Sequence, residues 1–151
     1  MSTVTNKAVV RRFVEEVLDG GNTDVMLEIF APNCVIHFAH LAEPYVGNAV
    51  YAAALAPGVS RRSSMVTTIE QMIAEGDMVA LRLRHDVTYT ADVPSRVGML
   101  PAAGKSVSWY AHPMFRLEDG RIAEEWVQRD EAGILQQLGA LPSRESNSPP
   151  T

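Results

Sequence analysis

The chain has 151 residues, of which 46% are hydrophobic and 21% charged, and its formal net charge is -5. This balance is ordinary for a globular protein. The length predicts a single domain over residues 1–141, followed by a polar, Pro-rich and flexible tail over residues 142–151. Lys and Arg never run beyond a pair, which argues against a nucleic-acid partner, and the lone Cys34 provides no internal disulfide. Without a leader-like or membrane-spanning apolar segment, the sequence predicts a cytoplasmic protein that does not bind membranes.

The first third of the chain has the periodicity of helices. Five apolar residues on one helical face predict an amphipathic helix over residues 6–19: Val10, Phe13, Val14, Val17 and Leu18. Gly20 and Gly21 follow this helix. A second helix is predicted from Asn22 or Thr23 to about residue 30, and a third from a capping Asn48 to about residue 56, where Pro57 breaks it.

The rest of the chain is predicted to be mostly strands. They cover residues 34–38, 65–74, 78–90, 106–117 and 121–130, with loops over 39–47 and 91–104. The Asp119-Gly120 pair supplies the turn of the last hairpin. A closing helix over residues 131–138 ends at Gly139 and is capped by Asp130.

Strand alternation gives the strand over residues 78–90 one apolar face, which we expect to be buried. Its members are Val79, Leu81, Leu83, His85, Val87 and Tyr89. Helices that precede a set of hairpins indicate an α+β fold, with a curved antiparallel sheet wrapped around the N-terminal helices. Such a shape leaves a cavity between the sheet and the helices. Met99, Leu100 and Pro101, in the long loop, are positioned to cover it.

Three stretches resemble the SnoaL-like polyketide cyclases of the nuclear transport factor 2-like superfamily. They are NKAVVRRFVEEVLDGGNTDVMLEIFAPNCVIH, IEQMIAEGDMVALR and FRLEDGRIAEEWVQRDEAGILQQLGAL. The resemblance implies a cone-shaped α+β barrel that holds a hydrophobic ligand, with polar wall residues that move protons. It also implies that neither a metal nor an organic cofactor is needed.

The polar positions of the polyketide cyclases are apolar in this chain. The resemblance places their acid/base aspartate at Val127 and its assisting histidine near Pro113. Many relatives have Asp where Ile36 stands and Tyr where Val14 stands. The aromatic-polyketide aldol mechanism is therefore not implied residue by residue. The shared direction of change indicates a greasier ligand, relocated chemistry or no chemistry.

The last strand carries the first candidates for catalysis. If Val127 lines the cavity, alternation places Glu125 and Arg129 on the same face. A carboxyl group in an apolar cone has a raised pKa, which suits a general acid/base. Arg129 can bind a carbonyl or oxyanion. The alternative is a structural ion pair between Glu125 and Arg129 at the rim of the hairpin.

His85 and Tyr89 are the polar members of the apolar row on the preceding hairpin. His85 is a candidate proton shuttle, and the alternative is a neutral core histidine with both nitrogens hydrogen-bonded. Tyr89, together with Arg129, can hold or polarise a ligand oxygen. These four residues, Glu125, His85, Arg129 and Tyr89, are the predicted catalytic set.

His37 and His40, with Glu43 nearby, are compatible with a zinc or iron site, but a polar pocket mouth beside Tyr45 is favoured and no metal is expected. The predicted ligand-binding residues are Val14, Leu18, Ile36, His37, His40, Tyr45, Trp109, Phe115 and Val127. Phe13, Met26 and Val107 are candidates for either the cavity wall or the core. Four residues on the opposite face of the sheet predict a homodimer: Tyr110, His112, Met114 and Trp126.

These observations favour a cofactor-independent cyclase or isomerase that acts by proton transfer on a hydrophobic, polyketide- or terpenoid-like small molecule of secondary metabolism. The alternatives are a non-catalytic small-molecule-binding protein of the same fold, an epoxide hydrolase or a dehydratase. A weaker alternative is a module for subunit interaction, like the transport factor itself.

Overall fold

The computed structural model describes residues 2–144. Its helices are α1 (Thr3–Arg12), α2 (Met26–Ile29), α3 (Asn48–Ser60) and α4 (Glu131–Gln137), with a π-helix over Phe13–Asp19 and a 3₁₀ turn over Thr23–Val25. Its strands are β1 (Phe30–Phe38), β2 (Tyr45–Val46), β3 (Arg62–Glu75), β4 (Met78–Tyr89), β5 (Val93–Ser95), β6 (Gly98–Leu100), β7 (Ser106–Ala111), β8 (Met114–Glu118) and β9 (Arg121–Val127). Most of the predicted tail, residues 145–151, lies outside the described residues.

The N-terminal helix is longer than predicted and widens in its second half. The π-helix continues directly from α1, and Gly20 closes it by donating its N–H to the Glu15 carbonyl at 3.0 Å. π-helical turns are rare and are frequent at functional sites. Here the widened turns bury Phe13, Val14 and Val17 against the sheet.

Two predictions about α3 are wrong. Pro57 does not break the helix, which continues to Ser60. Pro57 is exposed in the last turns, and Ser60 Oγ donates to its carbonyl at 2.9 Å. Asn48 does not cap the helix either. The N-cap is Gly47, at φ 103°, and the Asn48 side chain donates instead to the Phe30 carbonyl at 3.3 Å.

One mixed sheet forms the body of the molecule, in the order β2-β1-β9-β8-β4-β3, with β7 also paired to β4. The α+β class and the curved sheet against N-terminal helices are confirmed. The sheet is not wholly antiparallel, however, because β1 and β9 run parallel. This pairing is possible because β1 and β9 are far apart in sequence, so no tight hairpin fixes their direction.

The predicted strand over residues 106–117 divides at His112 and Pro113. β7 pairs with the far half of β4, whereas β8 pairs with the first residues of β4 and with β9. Pro113 lacks the N–H that a continuous ladder needs. The predicted loop over residues 91–104 contains a small hairpin of β5 and β6. Asp92 Oδ1 secures its base by accepting from the backbone N–H groups of Ala102 and Ala103.

The core lies between the N-terminal helix, α3 and the concave face of the sheet. Its largest fully buried side chains include Tyr51, Phe13, Phe30 and Phe115, whose rings pack edge to face or tilted. A second cluster packs α4 against β7 through Val107, Ile134, Leu135 and Leu138. Among residues 2–144, no helix is long and apolar enough to cross a membrane.

Candidate functional site

A cavity of about 760 Å³ lies between the helices and the concave face of the sheet. The helices contribute Phe13, Val14, Val17, Leu18, Tyr51, Ala54 and Leu55, and the sheet contributes Leu83, Val87, Trp109, Phe115 and Val127. These side chains give the cavity largely apolar walls. Its size and lining are those of a small-molecule site.

Glu125 is the buried carboxyl group of this cavity. Alternation along β9 turns its side chain inward, where it is 3% exposed. Burial raises the pKa of Glu125 to about 8, against the opposing effect of a hydrogen bond with the Tyr51 side chain. Oε1 of Glu125 has no hydrogen-bond partner among residues 2–144. A carboxyl group in this state exchanges a proton near neutral pH.

Tyr51 and Cys34 lie close enough to Glu125 for its carboxyl group to affect the pKa values of both. Tyr51, on α3, is 2% exposed, and its pKa is raised well above the ordinary value by burial first and then by the nearby Glu125 carboxyl. Burial also raises the pKa of the Cys34 thiol. All three groups therefore favour their neutral forms, and this end of the cavity is a poor environment for charge.

Arg129 lies at the other, exposed end of the cavity. Arg129 and Glu125 form no ion pair in the described part of the chain. The alternative prediction of a structural ion pair between them at the rim of the hairpin is therefore wrong. Burial and the positive charge of Arg129 lower the pKa of His40 at this mouth. Glu131 partly offsets them and also pairs with Arg96 at 2.9 Å.

His85 faces the cavity from β4, 6% exposed and beside the ring of Trp109. Its Nδ1 lies 2.7 Å from Thr67 Oγ1 on β3. Burial, Arg129 and Arg62 together lower the pKa of His85 to about 4. His85 is therefore a neutral imidazole at physiological pH. Only its Nδ1 makes a hydrogen bond within residues 2–144, whereas the core-histidine alternative requires hydrogen bonds at both ring nitrogens.

Tyr89 and Arg62 complete the polar wall near His85. Burial raises the pKa of Tyr89, while the charges of Arg129 and Arg62 lower it. The Arg62 guanidinium donates to the Leu18 carbonyl and to Met65 Sδ, so it is held against the end of the π-helix. Tyr89 thus keeps a neutral hydroxyl group beside two cations.

Glu125 and His85 occupy different levels of the same cavity. Glu125 pairs with Phe115, and Phe115 pairs with Val79 on β4. His85 lies six residues further along β4, opposite Trp109. Six residues of strand correspond to about 20 Å along the strand. The cavity therefore has a closed, neutral end at Glu125 and a second polar centre near His85 and Arg129.

The four predicted catalytic residues, Glu125, His85, Arg129 and Tyr89, all line the cavity. So do most of the predicted ligand-binding residues: Val14, Leu18, His40, Tyr45, Trp109, Phe115 and Val127. Phe13 lines it as well, whereas Met26 and Val107 are buried in the core. In the β5–β6 region Leu100 is buried against the cavity, but Met99 is exposed.

Two predicted ligand-binding residues are placed elsewhere. His37 lies on the outer face of β1, where Nε2 contacts Glu124 Oε2 at 2.7 Å and the ring stacks on Trp126. Ile36 faces inward but is fully buried in the core and does not line the cavity. Consecutive residues of a strand face opposite ways, so His37 could not share the inner face with Ile36.

His37 and His40 do not form a metal-ligand set with Glu43. Their nearest acidic partners are Glu124 and Glu131, respectively. No group of three His, Cys, Asp or Glu side chains in residues 2–144 is arranged to hold a metal ion. His40, Tyr45 and Leu41 instead line the same stretch of the cavity wall.

Sequence reasoning missed Tyr51, Asp19, Thr67 and Arg62. Tyr51 had a usable signal, because it is the only aromatic residue in a helix otherwise made of small and aliphatic residues. For Asp19, the helical periodicity indicates only the end of the first helix. Its contact with Thr67, 48 residues away in sequence, follows from tertiary packing and leaves no local pattern.

Comparison with known proteins gives a consistent result. The sequence model of the SnoaL-like polyketide cyclase family matches residues 8–138. No curated protein matches the chain. TsrD from Streptomyces laurentii is 21% identical, with a TM-score of 0.79, over 93% of this chain and 99% of that one.

Two further solved structures are similar to this chain in fold. A SnoaL-like polyketide cyclase from Agrobacterium tumefaciens is 20% identical over 92% of this chain and 100% of its own, with a TM-score of 0.73. An LEH-like epoxide hydrolase from M. tuberculosis is 18% identical over 90% of each chain, with a TM-score of 0.70. At these identities the likeness concerns the fold alone.

Proposed function

We propose a function for this chain from its cavity and from the fact that it belongs to the SnoaL-like polyketide cyclase family. The protein is a cofactor-independent cyclase or isomerase that acts by proton transfer. Its substrate is a hydrophobic, polyketide- or terpenoid-like small molecule of secondary metabolism. One observation carries the proposal. Glu125 is a buried carboxyl group in an apolar cavity, with one oxygen that has no partner among the described residues.

The burial of Glu125 supports a role as general acid/base rather than as a structural anion. An unpaired buried carboxylate is costly, and a fold that needed it only for stability would provide a cation or several donors. Here the pKa of Glu125, raised to about 8 by burial, lies close to the working pH. The Tyr51 side chain lies beside the carboxyl group, and the buried Oε1 makes no hydrogen bond within residues 2–144, so we assign the proton transfer to this oxygen.

In a cyclisation, Glu125 alone can both remove and return the transferred proton. The carboxylate form takes a proton from the carbon next to a carbonyl group and becomes a carboxylic acid. The resulting enolate attacks a second carbonyl carbon of the same molecule, which forms the ring bond and an alkoxide. Glu125 then returns its proton to the alkoxide. In an isomerisation of a β,γ-unsaturated ketone, loss of the α-proton gives a dienolate, and Glu125 returns the proton to its γ-carbon.

The remaining walls supply binding and shape. Val127 and Pro113, at the positions where the family resemblance places the aspartate and histidine, line the cavity as apolar surface. Arg129 and Tyr89, at the other level, hold a second oxygen of an extended ligand. Apolar walls that fold a flexible substrate raise the effective concentration of its reacting ends.

A proton-exchange assay tests this function without the natural substrate. 2-Tetralone is a bicyclic apolar ketone, and NMR in D₂O follows the exchange of the protons beside its carbonyl group. We expect the wild-type protein to accelerate exchange and Glu125→Gln to lose at least about 100-fold of that acceleration. The matched control is Glu124→Gln, because Glu124 precedes Glu125 on β9 and faces outward to His37 and Arg116.

The same experiment separates the enzyme from a binding protein of the same fold. Tight 2-tetralone binding with no acceleration by the wild type contradicts proton transfer. Equal acceleration by all three proteins removes Glu125 from the mechanism. Epoxide opening is a second candidate, in which the Glu125 carboxylate activates a water molecule, and hydrolysis of 1,2-epoxyoctane is the assay for it.

We further propose that the protein is cytoplasmic and forms a homodimer through the outer face of the sheet. Tyr110 is 37% exposed and Met114 is 45% exposed on this face, next to Trp126. Arg82 lies 4.5 Å above the Tyr110 ring and also contacts His112. A mixed aromatic and apolar patch of this kind is typical of an interface.

A further inference from the structure

A chain of hydrogen bonds links the end of the π-helix to the cavity through β3 and β4. Thr67 Oγ1 donates to Asp19 Oδ1 at 2.6 Å, and the Thr67 backbone N–H donates to Oδ2 at 2.9 Å. The same Thr67 oxygen lies 2.7 Å from His85 Nδ1. We propose that Asp19 and Thr67 are positioning residues that keep the proton of His85 on Nδ1 and leave Nε2 to accept a hydrogen bond from a ligand hydroxyl group, such as an enol, a phenol or an alcohol.

The number of available protons determines which group donates in each of these hydrogen bonds. An ionised carboxylate only accepts hydrogen bonds, and a threonine hydroxyl has a single proton. Once Thr67 donates that proton to Asp19, its oxygen can only accept from the imidazole. The 2.7 Å contact therefore requires the proton on Nδ1. In a neutral ring Nε2 is then an acceptor with no proton.

The surroundings of His85 keep the ring neutral. Arg62, on β3, and Arg129, beyond β9, both oppose its protonation, and burial acts in the same direction. Asp86, the neighbour on β4, acts the other way but is engaged on the outer face by Arg84 and Ser108. The nearby Tyr89 hydroxyl is neutral. On the cavity side, His85 thus offers a hydrogen-bond acceptor, whereas the nearby arginines and the Tyr89 hydroxyl group offer donors.

This arrangement complements a ligand that donates a proton. Nε2 makes no hydrogen bond within residues 2–144, and the side chain lines the cavity next to the flat ring of Trp109. A planar enol or phenol that packs on Trp109 can direct its O–H to Nε2. The inference rests on the proposed function and deepens it, because it names the ligand group that the second polar centre recognises.

The tautomer of His85 is the first readout, and it needs no turnover. Two-dimensional ¹H–¹⁵N correlation through the ring carbons distinguishes Nδ1–H from Nε2–H, and the four histidines are assigned with His85→Gln. We expect the wild type at pH 7 to hold its proton on Nδ1. Thr67→Ser should keep this state and Thr67→Val should lose it. Thr68→Val, on the exposed face of the same strand, should change nothing.

Binding of two naphthalene probes is the second readout. We expect wild type and Thr67→Ser to bind 2-naphthol about fivefold more tightly than 2-methoxynaphthalene, which lacks the proton, as one net hydrogen bond predicts. Thr67→Val should lose this preference.

A wild-type His85 with its proton on Nε2 overturns the proposal, as does a naphthol preference that survives both Thr67→Val and His85→Gln. Should Thr67→Val not fold, the wild type and His85→Gln decide. A contradicting result in these two experiments does not change the result expected for Glu125 in the 2-tetralone exchange assay.

Discussion

Glu125 and His85 face one cavity from positions that differ by six residues in the register of β4. A compact ligand can engage only one of them, whereas an extended ligand can reach both. The two groups also have opposite pKa shifts, because burial raises the pKa of the acid and lowers that of the base. Both are therefore neutral at pH 7, so the cavity holds two proton-handling groups with little charge.

The rate of 2-tetralone exchange should follow the ionisation of Glu125. If the carboxylate removes the proton, kcat/KM rises about tenfold per pH unit below the folded-state pKa of about 8 and levels off above it. His85 does not contribute to this limb, since its pKa of about 4 lies far below it. The profile is measured between pH 6 and pH 9.

Glu125→Asp is the matched variant for this profile. It keeps the carboxyl group but withdraws it by one methylene, so a reduced rate with a similar pH limb is expected. A wild-type profile that is flat from pH 6 to pH 9, or one that falls across this range, contradicts the carboxylate as the base.

The stability of the protein should fall with pH above pH 6.5 because of Glu125. Its pKa is 4.5 ordinarily and about 8 in the folded state, so between these values the folded state binds a proton that the unfolded state has lost. Stability from this group is complete below pH 4.5 and is lost as the pH rises through 8. Between pH 6.5 and pH 8 the loss is about 1.5 kcal/mol in the free energy of unfolding.

Urea unfolding of the wild type and Glu125→Gln at several pH values measures this loss. The window starts at pH 6.5 because His85, with its lowered pKa, makes stability rise between about pH 4 and 6.5 and would mask the effect there. Glu125→Gln should show no such decline and should be the more stable protein at pH 8. Parallel curves for the two proteins would show that Glu125 is ionised or solvated in the folded state.

Arg129 should contribute to the binding of ligands with an anionic or carbonyl oxygen. Its guanidinium lies at the exposed end of the cavity with no ion pair in the described part of the chain. We expect Arg129→Met to weaken the binding of 2-naphthoate about tenfold and to leave naphthalene binding unchanged. Calorimetry measures both, and Arg121→Met, at the exposed start of β9, is the control. An equal loss for both ligands would indicate a packing defect instead.

The amino-acid sequence predicts best what depends on local periodicity. The period of two along β9 and β4 is sufficient to place Glu125 and His85 inside, because alternate residues of one strand share a face regardless of the partner strand. By the same rule only one residue of the adjacent pair Ile36 and His37 can face inward, so the prediction that both contact a ligand is wrong.

Contacts between distant segments could not be predicted in this way. The Asp19–Thr67–His85 chain joins three elements whose register is set by packing of the whole sheet. Tyr51, in the first turn of α3, comes close to Glu125 because α3 packs against the sheet, and α3 itself continues through Pro57. The propensity of proline opposed this helix, but an exposed last turn tolerates the missing N–H. Such outcomes depend on tertiary context rather than on local sequence.

The outer face of the sheet should hold the dimer together through Met114. This residue is exposed and pairs across the sheet with Trp126, so a charge placed there would be buried in the interface. We expect the wild type to be a dimer by light scattering at 50 µM (about 33 kDa from the 16.5 kDa chain) and Met114→Glu to be a monomer. Met99→Glu, which adds the same charge to the exposed β5–β6 hairpin, should remain a dimer. A monomeric wild type would remove the homodimer from the proposal and leave the proton-transfer function untouched, because every residue assigned to that function lies on one chain.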